Sequence, residues 1–430
     1  MAKVSVIMPS LNVIDYIKES VESVMQQTLK DIEIICIDAG SDDGTLEYIQ
    51  SVAMADKRIH VIKSPVKSYG YQVNLGIDHA KGEYIAILET DDYVTFDMYE
   101  KLYNIAVSKN LDFVKCDYCT YTTEKGKRSF IERRVSAENS LYEEVFSPID
   151  NPHTVIDDWY LWNGMYKADF LRQNKIFFSE TSGAAFQDVG FLHKVATRAQ
   201  KATYLKDSLY RYCVDREGAS SNSKHILNFI RKEYGLLLES DFAYSFDEKR
   251  LLYIRMARSF IRACMDSDNA TLLEEGNVNI CKWFLIKLLV AEQEGCVTEA
   301  DLPGALKDGY RHLLNPAVGY IAYRKSKERA LIDFLGHDSK IIVFGCGNYG
   351  KDAAEHIKNK GYSIYGFMDN NQDLWGESVN GIPIFSPDKV MEMPKDTKYI
   401  VANEKYASAI KEQLRKCRDG VCIFEYVPEK

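Results

Sequence analysis

Over its first 120 residues the chain alternates short apolar runs with amphipathic stretches, and this alternation restricts the fold more than any other feature. The runs are VSVIMP (4–9), EIICID (33–38), RIHVIK (58–63), YIAILE (84–89) and LDFVKCDY (111–118). Between them, the stretches beginning at Tyr16, Thr45, Tyr71 and Asp97 have helical periodicity. Strands separated by whole helices pair through crossovers, so the expected fold class is α/β with a mostly parallel sheet. Ligands of such sheets bind at the carboxyl ends of the strands, which makes the residues just after each strand the candidates for chemistry.

Further along, residues 120–158 turn polar and charged (TTEKGKRSFIERR) and read as an insertion near the site. Residues 159–215 return to the domain, with a helix over 188–199 and a strand over 202–213. Residues 224–335 read as helical, in stripes such as LLYIRMARSFIRACM. After Asp338 a second α/β unit begins with KIIVFGCGNYG, followed by a helix, SIYGFMDNN and KYIVANEKY. A chain of 430 residues exceeds one ordinary core. The expected division is 1–220, 221–337 and 338–430.

Composition narrows the function. A formal charge of −9 with no clustered Lys/Arg block argues against a nucleic-acid partner. The chain opens directly on a strand pattern, without a charged segment and apolar core of a leader. Its most apolar stretch, 280–291, is broken by Lys282 and Lys287 and is too short to span a bilayer. A cytoplasmic protein is expected, with contact at the inner membrane face and homo-oligomerisation left open. Cys116 and Cys119, three apart on a strand, fall on opposite faces and suit neither zinc nor a redox pair.

Three strand ends finish in polar residues. The first gives Pro9-Ser10-Leu11-Asn12, the second runs from Asp38 through Gly40, Ser41, Asp42 and Asp43 to Thr45, and the fourth gives Glu89-Thr90-Asp91-Asp92. Crowded carboxylates at a strand end repel one another unless a cation or donors offset them. Oxygen ligands select hard cations, here Mn2+ or Mg2+ shared with substrate phosphates. Asp42 and Asp43 also suit a turn and helix cap, and both readings stay open.

VSVIMPSLN, QTLKDIEIICIDAGSDDGT and AKGEYIAILETDD together resemble the N-terminal signature of the family-2 inverting glycosyltransferases with the GT-A fold. The resemblance covers residues 3–100 and recurs over 180–220. It implies a nucleotide-sugar donor, most simply UDP-linked, and a glycan or lipid-linked acceptor in bacterial surface polysaccharide synthesis. By it Pro9, Ser10 and Asp38 would hold base and ribose, with Asn12, Ser41 and Asn74 beside them. Glu89-Thr90-Asp91 stands where the family has its DxD motif. Glu replaces the first Asp, so Asp91 and Asp92 are the expected metal contacts. Ala39 and Val73 are further departures. The family's catalytic base lies in an Glu-Asp pair opening a helix, and Phe186-Gln187-Asp188-Val189 occupies that place. An inverting transfer needs one carboxylate to take the acceptor hydroxyl's proton, and Asp188 fits, although it also suits a helix cap. Asp157 and Asp158 are the next candidates. Arg211, Arg216 and Ser220 resemble the family's segment near the diphosphate, and Trp159, Trp162 and Asn163 its acceptor side. Strand-exposed arginines and core-packed tryptophans are the alternatives. His193 reads as a partly buried helix residue rather than a ligand.

In the last unit, Gly345-Cys346-Gly347-Asn348-Tyr349-Gly350 follows an apolar strand, with Asp369 after the next one. The segment looks like half of a Rossmann-type nucleotide-binding module. A structural or self-associating tail is the alternative. Two rival functions remain: a nucleotide-sugar oxidoreductase or epimerase using NAD at the tail, and a degenerate transferase that only binds its ligand.

Overall fold

The computed structural model describes residues 2–124, 126–157, 160–216, 225–240, 242–302, 304–313, 318–336, 340–403 and 406–426. Ser220, Asp158, Trp159 and the boundary residue Asp338 lie outside them. The chain resolves into two compact units, Met1–Met256 and Ala257–Lys430.

In the first unit β1 (Val4–Ser10), β2 (Ile32–Asp38), β3 (Ile59–Lys63) and β4 (Tyr84–Ile87) form a parallel set in the order β3-β2-β1-β4. They are joined by α1 (Ile14–Met25), α2 (Thr45–Ala55) and α3 (Tyr69–His79). Every residue of β1, β2 and β4 is buried. This is why these segments read as continuous apolar runs rather than alternating ones. Register aligns Ser10 with Asp38 and Asp38 with Lys63, so the polar ends of the strands share one edge.

The sheet then changes direction. After the short β5 (Tyr93–Val94) and α4 (Met98–Lys109), β6 (Phe113–Glu124) turns back into β7 (Lys127–Arg133). α5 (Pro152–Ile156) leads to β8 (Gly164–Lys167), which pairs antiparallel with both β4 and β6. α6 (Ala168–Gln173) and α7 (Gln187–Arg198) precede β9 (Ala202–Cys213), parallel to β6 and antiparallel to β5. The β6–β7 hairpin occupies what the sequence presented as a polar insertion. All seven residues of β7 are exposed, so no face of it is apolar and no alternation marks it as a strand.

α8 (Ile226–Glu239) and the start of α9 (Phe246–Asp266) also belong to the first unit. The compact division thus falls inside α9, away from the expected breaks at 220 and 337. The second unit continues through α10 (Asn269–Leu273), α11 (Glu275–Gln293), α12 (Gly304–Leu313) and α13 (Val318–Leu335). Its sheet is built from β10 (Ile341–Phe344), β11 (Ile364–Met368), β12 (Ser378–Val379), β13 (Ile382–Phe385), β14 (Lys398–Val401) and β15 (Cys422–Glu425). The order is β12-β13-β11-β10-β14-β15, parallel except for β12, with α14 (Asn348–Asn359) and α15 (Ala407–Cys417) as crossovers. Among the described residues no helix is long and apolar enough to cross a membrane.

Candidate active site

The ends of β1 and β2 are knitted together by short polar side chains. Asp38 is almost fully buried and accepts from the backbone N–H of Gly40 and Ser41, both at 2.9 Å, and from the hydroxyls of Ser41 (2.5 Å) and Ser10 (3.3 Å). Asn12, at φ +53°, donates its N–H to Ser41 Oγ at 2.9 Å, and its amide oxygen accepts from the Asp42 N–H at 3.0 Å. Asp43 caps two helices at once, accepting from Ile14 and Thr45 backbone N–H groups at 3.0 Å. The cap reading of Asp43 is therefore the one realised. Pro9 and Ser10 are buried, which leaves Asn12, Asp42 and Asp43 as the exposed side chains of this cradle. Gln72 on α3, which no sequence signal singled out, donates to the carbonyls of Ser10 (2.9 Å) and Ile37 (2.7 Å) and ties both strand ends to the helix.

Asn74 is turned away from this edge. Its amide donates to Phe178 O (3.0 Å) and Glu180 Oε1 (2.9 Å) and accepts from Phe178 N–H (2.9 Å). Every polar atom of its side chain clasps the segment before α7, so the structure does not bring it to a nucleotide.

At the end of β4 the carboxylates divide. Asp92 faces inward, 2% exposed, with one oxygen accepting from Tyr210 Oη and the other from Cys213 N–H, both at 2.8 Å. It pins β9 to the β4 end. The expected pairing of Asp91 with Asp92 as metal contacts is corrected on this ground: burial and Asp91 push the Asp92 carboxyl well above its usual range, and its oxygens are spent on the fold. Asp91 instead pairs with Arg216, Nη1 to Oδ2 at 2.6 Å. Glu89 accepts from Tyr69 Oη at 2.5 Å, and burial together with Asp91 pushes it up to about 8. Thr90 is buried and donates to Pro9 O at 2.9 Å. Among the described residues no three His, Cys, Asp or Glu side chains converge as a metal cage. Two hard carboxylates remain, Glu89 and Asp91; a divalent ion would favour the ionised form of the elevated Glu89, and these donors fit Mn2+ or Mg2+ completed by substrate phosphates.

Asp188 sits in the first turn of α7. The entry to that helix is unusual: Phe186 takes φ +63°, a conformation costly for an aromatic residue, and offers no side-chain cap. Gln187 holds the turn. Its amide nitrogen donates to Thr181 O (2.5 Å) and Oγ1 (2.7 Å), while its oxygen accepts from Gly70 N–H on α3 (3.2 Å). Burial pushes Asp188 up to about 6, opposed by Arg255 on α9 and Lys115 on β6. Tyr69 bonds Glu89 and the next residue, Gly70, donates to Gln187, so the start of α3 joins the β4 end to the α7 start, and the Asp188 charge contributes to the elevation of Glu89 and Tyr69. Lys115 is fully buried and donates to Tyr160 O at 2.5 Å. A lysine inside the run LDFVKCDY was the legible sign of a paired interior charge.

Other expected residues lie elsewhere. Arg211 follows Tyr210 on β9, and alternation puts it on the opposite face from Tyr210 and Tyr212. Its guanidinium donates to the carbonyls of Ser208 (2.7 Å) and Tyr210 (3.2 Å) rather than to the site. Trp162 is 6% exposed and stacks on Tyr210 and Tyr212, with ring centroids 4.2 and 4.9 Å apart. It is sandwiched by tyrosines, so its faces do not serve a sugar. Asn163 is buried, with its amide donating to Cys116 O at 2.9 Å. His193 lies on α7 and is fully, not partly, buried.

The glycine turn of the second unit is closed by its own chain. Gly345, at φ +109°, accommodates the turn, and a Cβ on Gly350 would lie 1.8 Å from Gly345 O. Asp369 accepts from Cys346 N–H (2.8 Å) and Asn371 N–H (2.9 Å). Gly347 meets nothing within 4 Å of its built Cβ, and its φ of −72° is open to any residue.

Residues 5–191 match the family described as Glycosyl transferase family 2, and residues 337–420 match one described as C2185-like, N-terminal. Glycosyltransferase GlyG of Streptococcus pneumoniae is 33% identical over 234 residues, 53% of this chain and 76% of that protein. The chain belongs to glycosyltransferase family 2. Another relative, the uncharacterized glycosyltransferase EpsJ of Bacillus subtilis, is 30% identical over 210 residues, 49% of this chain. The match spans only 60% of EpsJ, less than two thirds of its length. A crystal structure of Staphylococcus aureus TarS 1–349 in complex with UDP-GlcNAc shares the fold, with a TM-score of 0.55 at 18% identity over 75% of this chain and 92% of that one. For a family-2 glycosyltransferase the first unit is thus the GT-A-like part, and the departures at Glu89 and Gln187 are built into the packing around them.

Proposed function

We propose that this chain is an inverting, metal-dependent hexosyltransferase that moves a sugar from a UDP-linked donor to a hydroxyl of a glycan or lipid-linked acceptor, in assembly of a bacterial surface polysaccharide. The observation that carries the reading is the meeting of two unlike carboxylate groups. Asp91 and Glu89 stand with Arg216 at the β4 end, and Asp188, elevated to about 6, opens α7 beside them.

Asp188 accepts the proton of the acceptor hydroxyl as its oxygen bonds to the anomeric carbon. The bond from that carbon to the diphosphate oxygen breaks on the opposite face, which inverts the centre. A base tuned toward neutral pH is stronger than an ordinary aspartate and still ionised at pH 7. Arg216 turns from Asp91 to the departing diphosphate, for which its planar donor fork is suited. Asp91, with Glu89, would hold Mn2+ or Mg2+, whose charge offsets that of the leaving group. Pro9, Asn12 and Ser41 frame the nucleotide from the β1 and β2 ends around the rigid Asp38 staple. The 338–430 segment we read as an accessory module outside the transfer chemistry.

A thermal-shift panel of nucleotide sugars with and without Mn2+ tests the donor class, since a ligand of the folded state raises apparent stability. UDP-sugars should raise the transition temperature only with the cation. A shift from GDP- or dTDP-sugars alone would overturn the UDP assignment.

A further inference from the structure

Arg216 follows the end of β9, and the chain is pinned at each of the three residues before it. Cys213 N–H donates to Asp92 Oδ1 (2.8 Å), Val214 N–H to Tyr121 O (3.1 Å), and the Asp215 carboxylate accepts from Thr123 N–H (2.6 Å). β6 and the β4 end thus fix the root of the Arg216 side chain, while its long stem leaves the guanidinium able to change partner. That group meets Asp91, Nη1 to Oδ2 at 2.6 Å, and stands over the Tyr16 ring of α1, with Cζ 5.7 Å from the centroid. The side chains of the pair are 31% and 18% exposed, so water and other ligands compete for the contact.

We infer that this ion pair couples the two ligands of the site: Arg216 and a divalent cation compete for Asp91, and the donor diphosphate ends the competition by drawing Arg216 to itself. The inference rests on the reading of Asp91 as a metal contact. Its physical basis is Coulombic. A guanidinium hydrogen-bonded to a carboxylate occupies one acceptor position and repels a second cation brought to the same group. Asp92 offers the guanidinium no other seat, since its oxygens are taken by Tyr210 Oη and Cys213 N–H. A diphosphate does offer one, because its oxygens match the planar donor fork and carry more negative charge than a carboxylate. Arg216, once drawn away, leaves Asp91 to the cation. Each ligand then tightens the other by more than their direct contact supplies.

The test uses the full chain. Mn2+ alone is titrated without nucleotide and followed by the electron paramagnetic resonance signal of the free ion, and UDP binding is measured by calorimetry with and without Mn2+. Arg216→Gln should tighten the binding of Mn2+ alone by about three- to tenfold, as one screened positive charge beside Asp91 is lost. The same variant should bind UDP more weakly in the presence of Mn2+. A misfolded protein would lose both affinities, so the opposite shifts identify the exchange. The factor by which Mn2+ tightens UDP should also shrink in Arg216→Gln. Arg128→Gln removes a guanidinium that is held by Glu19 and lies over Tyr93, and should leave Mn2+ binding within about twofold. Mn2+ binding that is unchanged or weaker in Arg216→Gln, or equally tightened in Arg128→Gln, overturns the inference; the metal reading then stands if Asp91→Ala still abolishes that binding. Mn2+ binding that survives Asp91→Ala removes the metal reading and the inference with it.

Discussion

The chain contains two mostly parallel sheets whose strand ends carry polar turns, and only one of them gathers charge. At the β4 end, Asp91 pairs with Arg216, the Glu89 carboxyl is raised by burial and by the charges of Asp91 and Asp188, and burial raises Asp188 as well. At the β10 end, the acidic residue of the motif, Asp369, is satisfied by two backbone N–H groups of its own loops, and the glycines serve a tight turn and a close helix contact. The difference teaches that a strand-end motif marks a reaction site when segments distant in sequence bring unspent charge to it. A turn that closes on itself is scaffold by the same test.

The comparison breaks most sharply at Asp188. Asp188→Asn should lower transfer, or donor hydrolysis, by at least about a hundredfold with donor affinity little changed, because the amide is a far weaker proton acceptor. Near-normal turnover would move the base to another carboxylate. Next, Asp91→Ala should weaken cation-dependent UDP binding measured by calorimetry by about tenfold or more. Asp92→Asn should instead lower the melting temperature by disturbing the Tyr210 and Cys213 bonds. If the two variants exchange these effects, the division of the carboxylates is wrong.

A smaller effect concerns pH and stability. The folded pKa of Asp188, about 6, lies above the unfolded value near 3.8. The folded state therefore binds more protons between these values, and wild-type stability falls as pH rises through that window. Asp188→Asn removes the penalty, so it should melt higher than wild type by about 2 °C or more at pH 7.5 and equally at pH 3.5, followed by calorimetry. An equal melting temperature at both pH values would contradict the elevation. Smallest of all, Gly350→Ala should destabilise the tail while donor hydrolysis stays within about twofold, and Gly347→Ala should change stability by less than about 0.5 kcal/mol. Loss of hydrolysis in a folded Gly350→Ala protein would tie the tail to the reaction.

Much of this was legible in the sequence because parallel strands covered on both faces leave unbroken apolar runs. β1, β2, β3, α2 and β9 all begin within a residue of the pattern that marks them. Asp91, Asp188 and Arg216 were legible as types of residue in motif order. The division between Asp91 and Asp92, both expected at the metal, was not, because which of two adjacent carboxylates faces inward depends on Tyr210 and Cys213, some 120 residues away. Arg211 and Trp162 were misplaced for a related reason: a strand shows its two faces only once its register is known. β7 was invisible because it buries nothing. Arg255 sits on a helix whose periodicity marks a core face but not its neighbour.

Gln187, where the family resemblance leads one to expect a glutamate, has a consequence for how the site behaves as acidity changes. Its amide gives hydrogen bonds to Thr181 and takes one from Gly70, and it gains or loses no proton across the range in which Asp188 does. A glutamate there could take the Gly70 bond but, when ionised, could offer nothing to the Thr181 carbonyl. The proposed base is thereby mounted on a bracket indifferent to pH: its own charge can switch on and off while the turn that holds it stays still.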